Sequence, residues 1–155
     1  MAGLAVAGVP DRLETQALGS CIGIVLYDPH AKVGGLAHAM LPDLHDAKEN
    51  SRGNLAKFVN TAIDVLVENM VKKGANPKFI KAKLAGGANM FPEISADTAN
   101  LIGNRNIAAA REALKKVGIP VVAEEIGGNC GRTITMDTIT GKLTVRTIAH
   151  GEKEI

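Results

Sequence analysis

The sequence predicts an α/β protein in which a mixed β-sheet, rich in hairpins, carries two main α-helices. Three observations lead there. Short apolar runs closed by turn residues outnumber helical segments. Only two segments carry apolar residues at helical spacing, and two strand pairs are joined by tight turns rather than by helices. The 155 residues are expected to form a single domain, 1–155, large enough to bury about two-thirds of its unfolded surface. Hydrophobic residues at 46% against charged residues at 22% argue against intrinsic disorder.

The elements follow from punctuation. Ala5 to Val9 reads as a short first strand, and Leu13 to Leu18 as a weak extended stretch leading into Gly19-Ser20-Cys21. Ile22 to Tyr27 is apolar on both faces, as in a buried strand. Asp28 to Lys32 has turn chemistry, because Pro29 presets φ and Asp28 can bond its own backbone. Val33 to Leu41 then returns, making a hairpin of residues 22–41. The polar stretch Leu41 to Gly53 is expected to be an exposed loop. From Leu55 to Val71 apolar residues recur at helical spacing, with Gly74 placed for an αL cap and Pro77 preventing continuation. Phe79 to Leu84 is a strand ending in a tight turn at Gly86-Gly87-Ala88-Asn89. Asn104 to Val117 is the second helix, closed by Gly118. Val121 to Ile126 is a strand, broken by Gly127-Gly128-Asn129-Cys130-Gly131. Strands at Arg132–Asp137 and Lys142–Ile148 flank a hairpin turn with Gly141 in place, and a frayed tail is expected beyond them.

Composition removes several function classes. Eighteen basic against sixteen acidic residues, without a basic run, leave no electrostatic case for nucleic acid. Aromatics at 3% leave no stacking platform for single strands. Two distant cysteines make no disulfide framework, and the four histidines show no metal-ligand spacing, so no metal site and no cofactor motif is expected. The apolar N-terminal stretch lacks a basic leader region and is too short to span a bilayer, so no membrane insertion is expected and the simplest compartment is the cytoplasm.

The 22–41 hairpin carries the candidate chemistry. If Asp28 pairs with Val33, Gly23 faces His38, and alternation puts Cys21 on the same face as His38, about 7 Å away at Cα. A one-residue slip would separate them. A cysteine beside a histidine can act as a nucleophile, and the glycine next to Ser20 allows close backbone approach. On spacing alone, a buried structural cysteine with a satisfied core histidine is the favoured reading. Cys130 reads as structural filler, and His30, His45 and His150 as solvated. Glu124 and Glu125 alternate across their strand and make no carboxylate dyad.

Leu18-Gly-Ser-Cys-Ile-Gly-Ile-Val-Leu-Tyr-Asp28 and Gly34-Gly-Leu-Ala-His-Ala-Met-Leu-Pro42 closely resemble the signature of the CheD family of chemoreceptor glutamine deamidases. Gly86-Gly-Ala-Asn-Met-Phe91, Ile102-Gly-Asn-Arg-Asn106 and Gly127-Gly-Asn-Cys-Gly-Arg132 extend the match, in family order, from about Gly3 to Ile148. The resemblance implies a fold similar to the toxin-type cysteine deamidases. It implies a catalytic triad of Cys21 as nucleophile, His38 as acid and base, and Thr15, six positions before the cysteine, as the third member. It implies chemoreceptor cytoplasmic domains as substrate, deamidated at glutamine through a thioester, and a CheC-type phosphatase as partner. Two alternatives stay open: methylesterase action at the same site, or a binding module that regulates such a phosphatase. With no deep substrate domain visible, an exposed site is expected, rimmed by the Pro42–Gly53 loop.

Overall fold

In a computed structural model, which describes residues 2–46, 53–90 and 101–155, nine strands and two helices form three layers. A five-stranded sheet has the order β1 (Leu4–Gly8), β4 (Val33–Ala39), β3 (Ile22–Asp28), β5 (Lys81–Gly86), β6 (Val121–Ile126). It is mixed: only β5 and β6 are parallel, joined through helix α2 (Ile102–Lys116). A second, antiparallel sheet has the order β2 (Arg12–Leu18), β7 (Arg132–Asp137), β8 (Leu143–Thr147), β9 (Gly151–Glu154). Among the described residues, no helix is long and apolar enough to cross a membrane.

The central hairpin explains the layering. Strands β3 and β4 are buried on both faces apart from Tyr27, so each face needs its own cover. Ile22, Ile24, Leu26, Ala37 and Ala39 pack against α1 (Val59–Lys72) and α2, whose buried stripes include Ile63, Leu66, Met70, Ala110 and Leu114. Val25 and Leu36, on the other face, pack with Leu13, Leu18, Ile134, Met136 and Leu143 of the second sheet. Gly23 lets that second sheet close in: a Cβ there would stand 2.6 Å from Ile134 Cδ1 and 2.9 Å from Leu18 Cδ1.

The expected strands and helices are present, and their ends differ for local reasons. α1 begins at Val59 rather than Leu55 because Asn54 Oδ1 accepts from Ala56 N at 3.0 Å and starts a separate 3₁₀ turn, Leu55–Lys57. Phe58, fully buried and extended, then interrupts the spiral. Within the expected loop, Leu44–Asp46 is a 3₁₀ turn; Pro42 is buried, which corrects the exposed reading at that residue, while His45 is exposed as expected. Residues 47–52 of that loop lie outside the described residues. The frayed tail is also corrected. Gly151–Glu154 pairs with β8 as an edge strand, and Lys142 Nζ reaches Glu154 Oε2 at 2.7 Å.

Asp28 holds the turn that sets the hairpin register, Asp28 opposite Val33 and Gly23 opposite His38. It is 1% exposed; Oδ1 accepts from His30 N at 2.8 Å and Ala31 N at 3.2 Å, and Oδ2 from Asn76 N at 2.8 Å. Burial alone would raise this carboxyl, but the N–H groups of Asn76, Ala31 and His30 outweigh it and hold it below its ordinary range. Asp28→Ala leaves those three donors unpaired and is expected to cost about 2 kcal/mol or more. The carboxylate's contribution is full above about pH 4 and is lost as pH falls through the depressed folded value. Urea titrations of wild type and variant are therefore expected to show a stability gap at neutral pH that narrows in acid.

Candidate active site

Of the three side chains that the resemblance implies, Thr15 and His38 meet in the layer between the two sheets, and Cys21 belongs to the apolar cluster of the same layer. Cys21 immediately precedes β3 and is 9% exposed; His38, on β4, is 3% exposed. Because Gly23 pairs with His38, two-residue alternation turns Cys21 toward the same face as His38 and Leu36. Cys21 and Leu36 share the apolar cluster that joins the sheets. Thr15 arrives from the second sheet, with its Oγ1 2.8 Å from His38 Nδ1. The expectation of an exposed site is thus corrected: thiol and imidazole both lie beneath the surface, because the second sheet covers this face of the hairpin.

Burial decides the charge state of the pair. It pushes the Cys21 thiol above its ordinary value, only partly offset by the residue's own backbone N–H. It pushes the His38 imidazole below its ordinary value. Both shifts favour the uncharged forms, so the resting pair at neutral pH is a thiol and a neutral imidazole rather than an ion pair. His38 Nε2 is buried and makes no hydrogen bond among the described residues. With Nδ1 engaged by Thr15, Nε2 is the ring atom left for proton transfer. His38 and Thr15 also line a cavity of about 250 Å³ with Leu13, Glu14 and Leu36.

The loop before β3 is held by residues far away in the chain. Gly87 N donates to Cys21 O at 2.7 Å, Ala88 N to Gly19 O at 2.8 Å, and Asn89 N to Gly128 O at 2.7 Å. Gly86 makes this turn possible: its φ is +108°, and a Cβ would lie against the Cys21 carbonyl oxygen. From α2, the fully buried Asn106 donates both amide hydrogens, to Ser20 O at 2.9 Å and to Met40 O at 3.0 Å. It thereby ties the segment before Cys21 to the end of the strand that carries His38.

A family model described as CheD chemotactic sensory transduction matches residues 40–147. The chain is 54% identical, over its full length and 94% of the relative's, to the "Probable chemoreceptor glutamine deamidase CheD" of Caldanaerobacter subterraneus subsp. tengcongensis. Proteins of the same name from Clostridium tetani and Thermococcus kodakarensis are 50% and 45% identical, over 100% and 96% of this chain and 93% and 90% of their own lengths. The chain belongs to the CheD family.

Two features of this CheD chain escaped the reading of its sequence, the surroundings of Cys130 and the place of Asn106. Cys130, expected to be filler, is half-buried, and its Sγ lies 3.9 Å from His150 Nε2, brought there by the β8–β9 hairpin. His150 is exposed, as expected. Asn106 was not singled out, yet its signal was available: with Gly103, Ile107, Ala110 and Leu114 it occupies the buried stripe of α2, a polar residue at a core position. Among the described residues, no group of three or more His, Cys, Asp or Glu side chains is placed to hold a metal ion.

Asn106→Ala leaves the Ser20 and Met40 carbonyls without their donor and is expected to cost about 1–3 kcal/mol. Urea unfolding should show a lower midpoint at unchanged slope. Asn106→Asp, of equal size but turning a carboxylate toward two carbonyls, should be the more damaging of the two.

Proposed function

We propose that the chain hydrolyses glutamine side-chain amides on chemoreceptor cytoplasmic domains to glutamate and ammonia, with Cys21 as nucleophile, His38 as base and acid, and Thr15 positioning the imidazole. The observation that carries this reading is the 2.8 Å Thr15–His38 bond on the face that Cys21 shares. The names of the full-length relatives supply the substrate class.

The chemistry starts from neutral partners. When His38 Nδ1 donates its hydrogen to Thr15 Oγ1, Nε2 carries the free lone pair and takes the Cys21 proton as sulfur attacks the carboxamide carbon. The oxygen of the tetrahedral intermediate becomes an anion, to which the Cys21 backbone N–H offers a donor. His38 returns its proton to the nitrogen, the C–N bond breaks, and ammonia leaves a thioester. Water, deprotonated by His38, then attacks that carbon; the C–S bond breaks and the thiol recovers its proton. Thr15 contributes orientation rather than charge, because its hydroxyl is a neutral acceptor.

Residues 1–155 act as one unit in this reading, because the site needs donors from Gly87 and Asn106 as well as the first hairpin. A receptor cytoplasmic domain as substrate sets the protein in the cytoplasm. A CheC-type phosphatase as partner is a separate proposal, resting on the sequence resemblance; Cys21→Ala protein should still bind it.

Incubation of a receptor cytoplasmic fragment with wild type should give the amide-to-acid mass change at individual glutamines, and Cys21→Ala should give none. Equal conversion by both would overturn the nucleophile assignment. His38→Gln should be equally inactive; since His38 is buried, its fold is checked by circular dichroism. Thr15→Ala removes one neutral hydrogen bond, about 1 kcal/mol, so turnover should fall about five- to tenfold while Thr15→Ser retains it.

The pH dependence follows from the same burial. His38, its pKa lowered, stays a competent base to below about pH 6.5, so the acid limb of kcat/KM should lie below that value. Cys21, its pKa raised, should be alkylated by iodoacetamide at neutral pH more slowly than an unburied thiol, with the rate still climbing into alkaline solution. Peptide mass spectrometry over a pH series checks both the order and the trend.

A further inference from the structure

Outside the site just described, one cavity gathers a thiol, an imidazole and a buried cation. It has a volume of about 310 Å³, and its lining includes Glu125, Cys130, Arg132, His150 and Lys153. Cys130 Sγ stands 3.9 Å from His150 Nε2 and 3.3 Å from Asn129 Oδ1. A second cavity, of about 650 Å³, is lined by Asn129, Cys130 and Arg132 as well, with Arg146 added. Cys130 therefore lines both cavities.

The charge of this cavity is predominantly positive. Arg132 is 6% exposed; its Nη1 donates to Cys130 O at 3.1 Å and its Nη2 to Gly127 O at 2.7 Å. Its Nη2 is 3.7 Å from Glu125 Oε1, and Lys153 pairs with the other oxygen of the same carboxylate. One acid thus stands between two cations. Arg132 Nε makes no hydrogen bond among the described residues, a buried charged donor left over in the wall of a cavity. Buried donors of this kind are stabilised by an acceptor, most strongly by an anionic one.

We infer that Cys130 is a second reactive thiol, a site of S-thiolation by anionic low-molecular-weight disulfides, with His150 as its base. His150 Nε2 takes the Cys130 proton; the thiolate attacks one sulfur of the disulfide, the Cys130 S–S bond forms as the reagent's own S–S bond breaks, and the displaced thiolate takes the proton from His150. The reagent is the oxidant: one of its sulfurs joins Cys130 and the other leaves reduced to a thiol. Arg132 and Lys153 draw the reagent's carboxylates. The inference does not depend on deamidation, since neither Cys21 nor His38 takes part.

Oxidised glutathione serves as the anionic probe and cystamine as the cationic one, each with its rate divided by its rate toward a free small-molecule thiol. The protein is used at full length, as wild type and as Cys21→Ala, in which Cys130 is the only cysteine. Mass spectrometry of the Cys130 peptide is expected to show modification in both, with oxidised glutathione favoured about tenfold over cystamine at low salt and less at high salt. His150→Gln, at an exposed position, should slow the reaction several-fold near neutral pH. Equal normalised rates for the two probes, or an unchanged rate in His150→Gln, would overturn the assignment. Loss of receptor deamidation in wild type would leave it untouched, because the readout is the Cys130 adduct alone.

Discussion

The register of the β3–β4 hairpin is the constraint on which the site and the layers both depend. Side chains alternate strictly along a strand, so a slip of one residue would turn one strand over against the other, sending either Cys21 and Val25 or Leu36 and His38 from the second sheet to the helices. It would also move either Ile22, Ile24 and Leu26 or Ala37 and Ala39 off the helix-facing core. Since both faces are buried, either displacement loses packing on two sides at once. Asp28 holds that register from the turn end, through three backbone donors, and Gly86 to Asn89 hold the other end through the carbonyls of Cys21 and Gly19. One hairpin is thus clamped at both ends, and chemistry is mounted near the second clamp.

Placing that chemistry between two sheets has an electrostatic consequence. A low-polarity layer disfavours both the thiolate and the imidazolium, and the neutral pair is the form that costs least. The same burial gives weight to the few polar contacts present. Thr15 bridges His38 Nδ1 to the second sheet, and Asn106 joins the carbonyls of Ser20 and Met40 from the opposite layer. The candidate nucleophile and its histidine are therefore held by elements from all three layers, so their relative position is a property of the assembled fold rather than of the hairpin by itself.

The second thiol shows the same logic on a smaller scale. Cys130 and His150 are brought together only because β9 folds back along β8, and the segment around Cys130 is linked to the Cys21 loop through the Asn89 N to Gly128 O bond. Two cysteine–histidine neighbourhoods therefore sit on one continuous run of backbone hydrogen bonds. They differ in environment: the first is apolar and covered, the second open and lined with Arg132, Lys153 and Glu125. Desolvation sets the charge of the first pair.

Local pattern alone was sufficient for the helices, for the hairpin at residues 22–39 and its register, and for the Val121–Ile126 and Arg132–Asp137 strands, because apolar period and turn residues act over a few neighbours. It also put Cys21 and His38 on one face, and the family motifs added Thr15. What only the tertiary structure decided were pairings between distant segments: β2 joins β7 rather than the first hairpin, which brings Thr15 to His38, and β9 joins β8, which brings His150 to Cys130. The division of the strands into two sheets, and with it the burial of the site, belongs to the same class. No local preference selects such partners; they follow from covering both faces of a doubly apolar hairpin at once, a condition met only when the whole chain has packed.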